Sequence, residues 1–255
     1  MGLFDQWCDE VTHVIGVHSI VVLRTDEQRE AVGLEAVAKA IPAQYVSTRR
    51  YARLLKLLGK NGAAEYLRDR LPQAQALRSG DLGEVLALTF VEEHTAWGHT
   101  VKKLRWKDHR DMPMRGDDLL AIRVDGDQVR LLKGEAKSRR RMSRHVLQEA
   151  EEALKANDGR PSPHALAFYA DRLDEEGHDD LADAILTMQY GHGIPTNRVS
   201  HMLFSFSGND PESLLRGLLE NYEGEFEQAY VGLCVGNHRR FVHAVFEKIG
   251  SDGDA

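Results

Sequence analysis

The stretch MRGDDLLAIRVDGDQVRLLKGEAKSR, residues 114–139, reads as two strands joined by a tight turn. Asp125-Gly126-Asp127 is a strong short-range hairpin signal. With Gly126 and Asp127 as a two-residue loop, paired residue numbers sum to 253 and Asp118 falls opposite Glu135. With Asp125 and Gly126 as the loop, the sum is 251 and Asp118 moves one diagonal step. Side chains alternate with period 2, so in both registers Asp118 shares a face with Glu135 and Lys137, and Asp117 points to the other face. An odd-length loop or a bulge reverses that assignment.

Two carboxylates and an ammonium on one face of a small hairpin are the elements of a metal-and-water site. Mg²⁺ takes one or two carboxylates together with waters and phosphate oxygens. A lysine beside it can orient or help deprotonate the attacking water and offset charge on the phosphate. Glu-x-Lys by itself also occurs on ordinary charged surface hairpins, so the reading depends on what else the chain supplies.

At 255 residues the chain can bury a sizeable core, as one domain or as a main domain with an appendage. Its 42% hydrophobic and 29% charged residues are those of a soluble globular protein. No apolar run approaches the roughly 20 residues of a membrane span, and MGLFDQWCDE lacks the basic and apolar regions of a signal peptide. Cys8 and Cys234 stand far apart with no Cys-x-x-Cys, which fits a reducing, cytoplasmic setting and excludes a disulfide framework. Net charge is −7, but residues 98–145 carry fourteen Lys and Arg against seven Asp and Glu, leaving −14 for the rest. The basic excess surrounds the candidate site, where a phosphate backbone has to lie.

Along the chain, residues 17–23 read as a buried strand and 28–40 as a helix stopped near Pro42. Ser47 can cap a helix over 48–58 with Gly59 past its end, and Asn61 can cap another to about Leu71. Residues 1–75 thus form a small α-rich accessory region with a strand, ahead of a main unit at 76–255. There, Ser79 or Asp81 can cap a helix whose first turn holds Glu84. Residues 100–104 suggest a strand, followed by the 118–124 and 129–137 hairpin and a helix over 144–155 capped by Ser143. Residues 163–187 read as helical with a break near Gly177, 199–207 as a strand, 211–222 as a helix and 229–235 as a strand; 241–249 is ambiguous. The pattern suggests an α/β fold with a mixed central sheet flanked by helices.

The order helix with Glu84, strand, Asp118 hairpin, Glu135-x-Lys137, helix is specific where Glu-x-Lys is not. It resembles the restriction-endonuclease-like PD-(D/E)xK nuclease superfamily, although Asp117 rather than Pro precedes Asp118. The segments S-G-D-L-G-E (79–84), M-x-G-x-D (114–118) and G-E-A-K (134–137) look like the nuclease subunit of the Hachiman anti-phage defence system, most clearly over residues 76–145. The resemblance implies DNA cleavage dependent on Mg²⁺, or on Mn²⁺ in its place, held in check by a superfamily 2 helicase partner. It also implies that Glu84, Asp118, Glu135 and Lys137 are catalytic. Asp118, Glu135 and the Ala136 carbonyl then bind one ion. Glu84 completes the shell directly, through water, or by holding a second ion; alternatively it is a helix N-terminal acid favoured by the macrodipole.

Arg139, Arg140, Arg141 and Arg144 follow the lysine directly. They suit a DNA backbone by their fork of donors, or form a solvated basic turn or a dock for an acidic partner. Lys102, Lys103, Arg105 and Lys107 make a second candidate DNA-binding patch with Trp106, a residue that can stack on an unpaired base but reads better as a half-buried strand tryptophan. The histidines lack zinc-ligand spacing, and no Walker A motif is present. Residues 191–195 read as a loop. A standalone restriction or repair nuclease, and a catalytically idle DNA-binding subunit, are the competing functions.

Overall fold

The computed structural model describes residues 2–114, 116–126 and 128–252. Arg115 and Asp127 of the decisive stretch, and the end of the expected 76–255 unit, lie outside the described residues. In chain order the elements are β1 (Asp9–Ile15), β2 (His18–Arg24), α1 (Glu27–Ala40), α2 (Pro42–Tyr45), α3 (Thr48–Arg68), α4 (Gln75–His94), β3 (His99–Thr100), β4 (Leu119–Asp125), β5 (Gln128–Arg139), α5 (Arg144–Lys155), α6 (Pro163–Glu175), α7 (Asp179–Thr187), β6 (Val199–Ser207), α8 (Glu212–Leu219), β7 (Glu227–Cys234) and α9 (His238–Asp252).

The strands form one seven-stranded sheet in the order β1-β2-β7-β6-β5-β4-β3. Its centre, β2, β7, β6 and β5, is parallel, and β1 on one side and β4 and β3 on the other run antiparallel to their neighbours. Helices cover both faces. On one, Leu82, Leu86 and Phe90 of α4 and Val242 of α9 pack with Phe204 and Phe206 of β6 and Leu132 of β5. On the other, Leu147, Leu154 and Leu215 of α5 and α8 meet Leu203 and Tyr230, while Leu166, Tyr169 and Ile185 of α6 and α7 meet Leu120, Ile122 and Leu131. Each such fully buried side chain contributes ~1.5–3 kcal/mol. The expected mixed α/β architecture is the one the chain adopts. β6 lies between two helical layers and is buried along all 9 residues. Its polar groups are therefore paired: His201 Nε2 lies 2.7 Å from the Gly159 carbonyl, and Ser205 Oγ donates to the Val231 carbonyl at 3.2 Å.

The hairpin takes the first of its two registers: Asp125 pairs with Gln128 and Leu119 with Gly134. Ser143 and Ser162 cap α5 and α6 by accepting from Val146 N–H and Ala165 N–H. Elsewhere the chain departs from its pattern. β1 escapes an apolar criterion because an edge strand with one exposed face needs no apolar run; its sequence is DEVTHVI. The strand expected over 100–104 is only β3, followed by a 3₁₀ helix at Lys103–Trp106. By contrast, the two helices expected on either side of Gly59 are both present: within α3, Gly59 at φ 69° and ψ −176° breaks the helix into two. A π-helical turn at Met188–His192 extends α7 into the first two residues of the expected 191–195 loop, and residues 193–195 are irregular as expected. Residues 1–75 share sheet and core with the rest: β2 pairs with β7, and Trp7 stacks on Phe241 with centroids 5.4 Å apart.

Candidate active site

The backbone ladder between β4 and β5 begins at Leu119 and Gly134. One residue earlier a side chain takes over: Asp118 Oδ2 accepts the Ala136 N–H at 3.0 Å. This fixes Asp118 against the strand that carries Glu135 and Lys137, whose own groups are tied by Lys137 Nζ donating to Glu135 Oε1 at 2.6 Å. Gly134 is required by the close approach. A Cβ there would meet Leu119 Cβ at 2.9 Å. Asp117 precedes β4 and escapes its alternation. It was expected on the opposite face, but its carboxylate accepts Ser162 N–H at 2.8 Å and lies 3.8 Å from Lys133 Nζ, on the side of the sheet that Lys133 shares with Glu135.

Glu84 reaches this point from α4, and not from a helix start. The helix begins at Gln75 without a side-chain cap, so Ser79 and Asp81 cap nothing and Glu84 lies well inside it, beyond the range of a macrodipole effect. The polar residues of S-G-D-L-G-E serve packing instead. Ser79 Oγ meets Ser138 Oγ at 2.8 Å, and Ser138 Oγ meets His238 Nε2 at 2.8 Å. A Cβ on Gly83 would lie 2.9 Å from Ser138 Cβ, so glycine lets α4 approach β5. Buried Asp81 accepts from Tyr45 Oη at 2.6 Å and from Lys107 Nζ at 2.8 Å.

Lys103 completes the cluster. Expected with Lys102 on a DNA-facing surface, it is 6% exposed and turned inward. Its Nζ lies 3.1 Å from Glu84 Oε2 and 3.8 Å from Asp118 Oδ1, and donates to the Asp117 carbonyl at 3.2 Å. Lys102 pairs with Glu92 at 2.5 Å. Sequence reasoning missed the inward lysine because two adjacent lysines in V-K-K-L give no sign of which one turns in. Burial pushes Glu84 up to about 8; Lys103 pulls it down, and Asp118 and Asp81 push it further up. Burial likewise raises Glu135 to about 7, with Asp118 adding to it and Lys137 opposing. Burial works against the charge of Lys103, but Glu84 and Asp118 outweigh it and hold its pKa above the ordinary value. Three carboxylates against two ammoniums leave a surplus of negative charge in a poorly hydrated place.

That donor set fits a hard cation. Carboxylate and carbonyl oxygens are the ligands of Mg²⁺ and Mn²⁺, and an extended residue turns its N–H and C=O toward the same neighbour, so the Ala136 carbonyl shares the side on which Asp118 binds the Ala136 N–H. Among the described residues no three acidic, histidine or cysteine side chains converge tightly enough to cage an ion alone. Arg139, Arg140, Arg141 and Arg144 are exposed at the exit of β5. Trp106 is half-buried as expected, though in the 3₁₀ helix; Arg172 lies over its ring at 5.3 Å and Phe168 meets it edge-on. Both aromatic residues line a cleft of about 690 Å³ that Lys103, Gly116 and Asp117 border.

Fold and site define a mixed α/β protein with a buried carboxylate–lysine cluster at the head of a β-hairpin. The chain belongs to the HamA family, whose model matches residues 1–249. It is 25% identical over 230 residues to the Hachiman protein HamA of Bacillus cereus, a match spanning 88% of this chain and 82% of that one. The kinship to the Hachiman system read from three short segments therefore holds, and the match extends over nearly the whole chain. Among the described residues no helix is long and apolar enough to cross a membrane.

Proposed function

We propose that this chain is a metal-dependent deoxyribonuclease of the PD-(D/E)xK type, with a restriction-endonuclease-like core, acting as the effector of an anti-phage defence complex with a helicase partner. The observation that carries the reading is the meeting of Asp118, Glu135 and Lys137 at one hairpin head, with Glu84 brought to them across Lys103. Membership in the HamA family supports the defence role and the Hachiman-type partner. Residues 76–255 form the nuclease unit and residues 1–75 an accessory region in this reading, and the two free cysteines suit a cytoplasmic setting.

Asp118, Glu135 and the Ala136 carbonyl hold the ion. Glu84 completes the shell directly, through water, or by holding a second ion. Bound Mg²⁺ or Mn²⁺ supplies charge to the phosphate oxygens and lowers the pKa of a coordinated water. Lys137, restrained by Glu135, would orient the attacking water and offset charge on the phosphate, and the exposed arginines would grip the flanking backbone without reading sequence. The test is plasmid nicking in Mg²⁺ by the wild-type chain and by Glu135→Ala/Lys137→Ala, with and without a co-expressed helicase subunit. Nicking is lost in the double variant. Persistence of nicking there overturns the assignment.

A further inference from the structure

Lys103 stands where a second metal ion would otherwise be needed. Its ammonium lies near Glu84 Oε2 and Asp118 Oδ1, the Asp118 oxygen that does not accept the Ala136 amide, and donates to the Asp117 carbonyl. It comes from a 3₁₀ helix flanked by buried Val101 and Leu104, so it cannot swing away without unpacking that turn. We propose that Lys103 is a built-in cation that offsets the charge of Glu84, so that the site takes one divalent ion, on Asp118 and Glu135, and Glu84 acts as the anchor of Lys103 and not as a metal ligand.

The inference rests on the nuclease reading and resolves the role of Glu84 within it. Charge supports one ion over two. With all three carboxyls ionised, Glu84, Asp118 and Glu135 with Lys103 and Lys137 leave one net negative charge. One divalent ion turns this into one net positive charge, which the single charge of a phosphodiester neutralises. A second ion leaves two further positive charges in a poorly hydrated pocket, beside a buried ammonium, where repulsion is weakly screened. Geometry agrees: the ammonium, 3.1 Å from Glu84 Oε2 and 3.8 Å from Asp118 Oδ1, takes the place an ion shared by those two carboxylates would occupy.

Calorimetric titration of the metal-free chain with Mn²⁺ tests this without reference to cleavage. The wild type binds one ion. Asp118→Asn weakens binding by about tenfold or more, the loss expected when a ligand or its direct support is removed. Glu84→Gln leaves the affinity within about threefold, a difference of ~0.65 kcal/mol. Lys103→Met exposes a second set of oxygens, and the stoichiometry rises from one to two; Lys103→Arg keeps it at one. If Lys103→Met does not fold because Glu84 is left as a buried lone charge, the double variant Glu84→Gln/Lys103→Met removes both charges and binds one ion. Two ions on the wild type, or a loss for Glu84→Gln equal to that for Asp118→Asn, overturns the proposal. Absence of Mn²⁺ binding by every form, with Asp118→Asn no different from wild type, overturns the nuclease reading itself.

Discussion

Asp118 Oδ2 accepts the Ala136 N–H at 3.0 Å, so a side chain occupies the place that the next backbone carbonyl of the ladder would take. The carboxylate thus has two separable jobs: it closes the hairpin, and it brings charge to the site. An asparagine oxygen accepts the same N–H but carries no charge. Asp118→Asn is therefore expected to melt at or slightly above the wild-type temperature, because it relieves Glu84 and Glu135 of a neighbouring negative charge. Its Mg²⁺-dependent cleavage falls by at least ~10²-fold, the order seen when one preorganised electrostatic group is removed. Asp118→Ala loses the hydrogen bond too and costs ~1 kcal/mol of stability. Thermal melts beside nicking assays separate the two jobs; an active Asp118→Asn enzyme would show that the charge is not needed.

The raised carboxyl groups make stability fall with pH when metal is withheld. Glu84 and Glu135 titrate near 8 and near 7 in the fold against 4.5 for a free glutamate. Between those limits the folded protein holds protons that the unfolded chain has released, so raising the pH removes them at the expense of folding. The melting temperature of the metal-free chain should drop steadily from about pH 5 to about pH 8. Glu84→Gln flattens the upper part of that drop, and Mg²⁺ reverses it most strongly at the alkaline end, since a cation binds the ionised carboxylates. A pH series of melts in chelator and in Mg²⁺ reads all three; a chelated wild type that gains stability between pH 6 and pH 8 sinks the account.

How much of this was legible in the sequence depended on range. The hairpin register followed from a local turn and period 2, and Asp118 was rightly set opposite Glu135. Serine caps at 47 and 143 and the central strands were likewise local. The start of α4 was not: Ser79, Gly80 and Asp81 look like a helix boundary, yet they are held inside a helix by contacts with Ser138, Tyr45 and Lys107 that lie far away in sequence. Part of the basic excess of residues 98–145 is internal, which the count could not show. Lys103, Lys107 and Lys133 are internal partners of Glu84, Asp118, Asp81 and Asp117, not surface for a phosphate backbone. A charge count cannot distinguish a buried counter-ion from an exposed one.

Gly83 offers a test of the α4–β5 contact that positions Glu84. In an exposed helix interior Gly→Ala gains ~1 kcal/mol from propensity. Here the new methyl would sit 2.9 Å from Ser138 Cβ, an atom fixed to the backbone of β5 and unable to rotate away. Overpacking of this kind costs ~1–3 kcal/mol and outweighs the propensity gain. Gly83→Ala should therefore lower stability by up to ~2 kcal/mol and shift α4 outward, carrying Glu84 away from Lys103. Denaturant unfolding gives the sign directly. Gly80→Ala, with nothing within 4 Å of its Cβ, is the control and should be stabilised.

The exposed arginines after β5 distinguish a DNA grip from a partner dock. Arg140, Arg141 and Arg144 lie outside the buried cluster, so alanine at each should leave melting unchanged and metal binding intact. If they hold phosphates, each loss weakens binding of a DNA duplex alike for all sequences. The slope of log affinity against log salt then falls by about one for each contact removed. Arginines that face an acidic partner instead leave the DNA salt slope of the isolated chain untouched and weaken only co-purification with the helicase subunit. Binding measured at several salt concentrations, with wild type and with the triple variant, decides between the two from the slope alone.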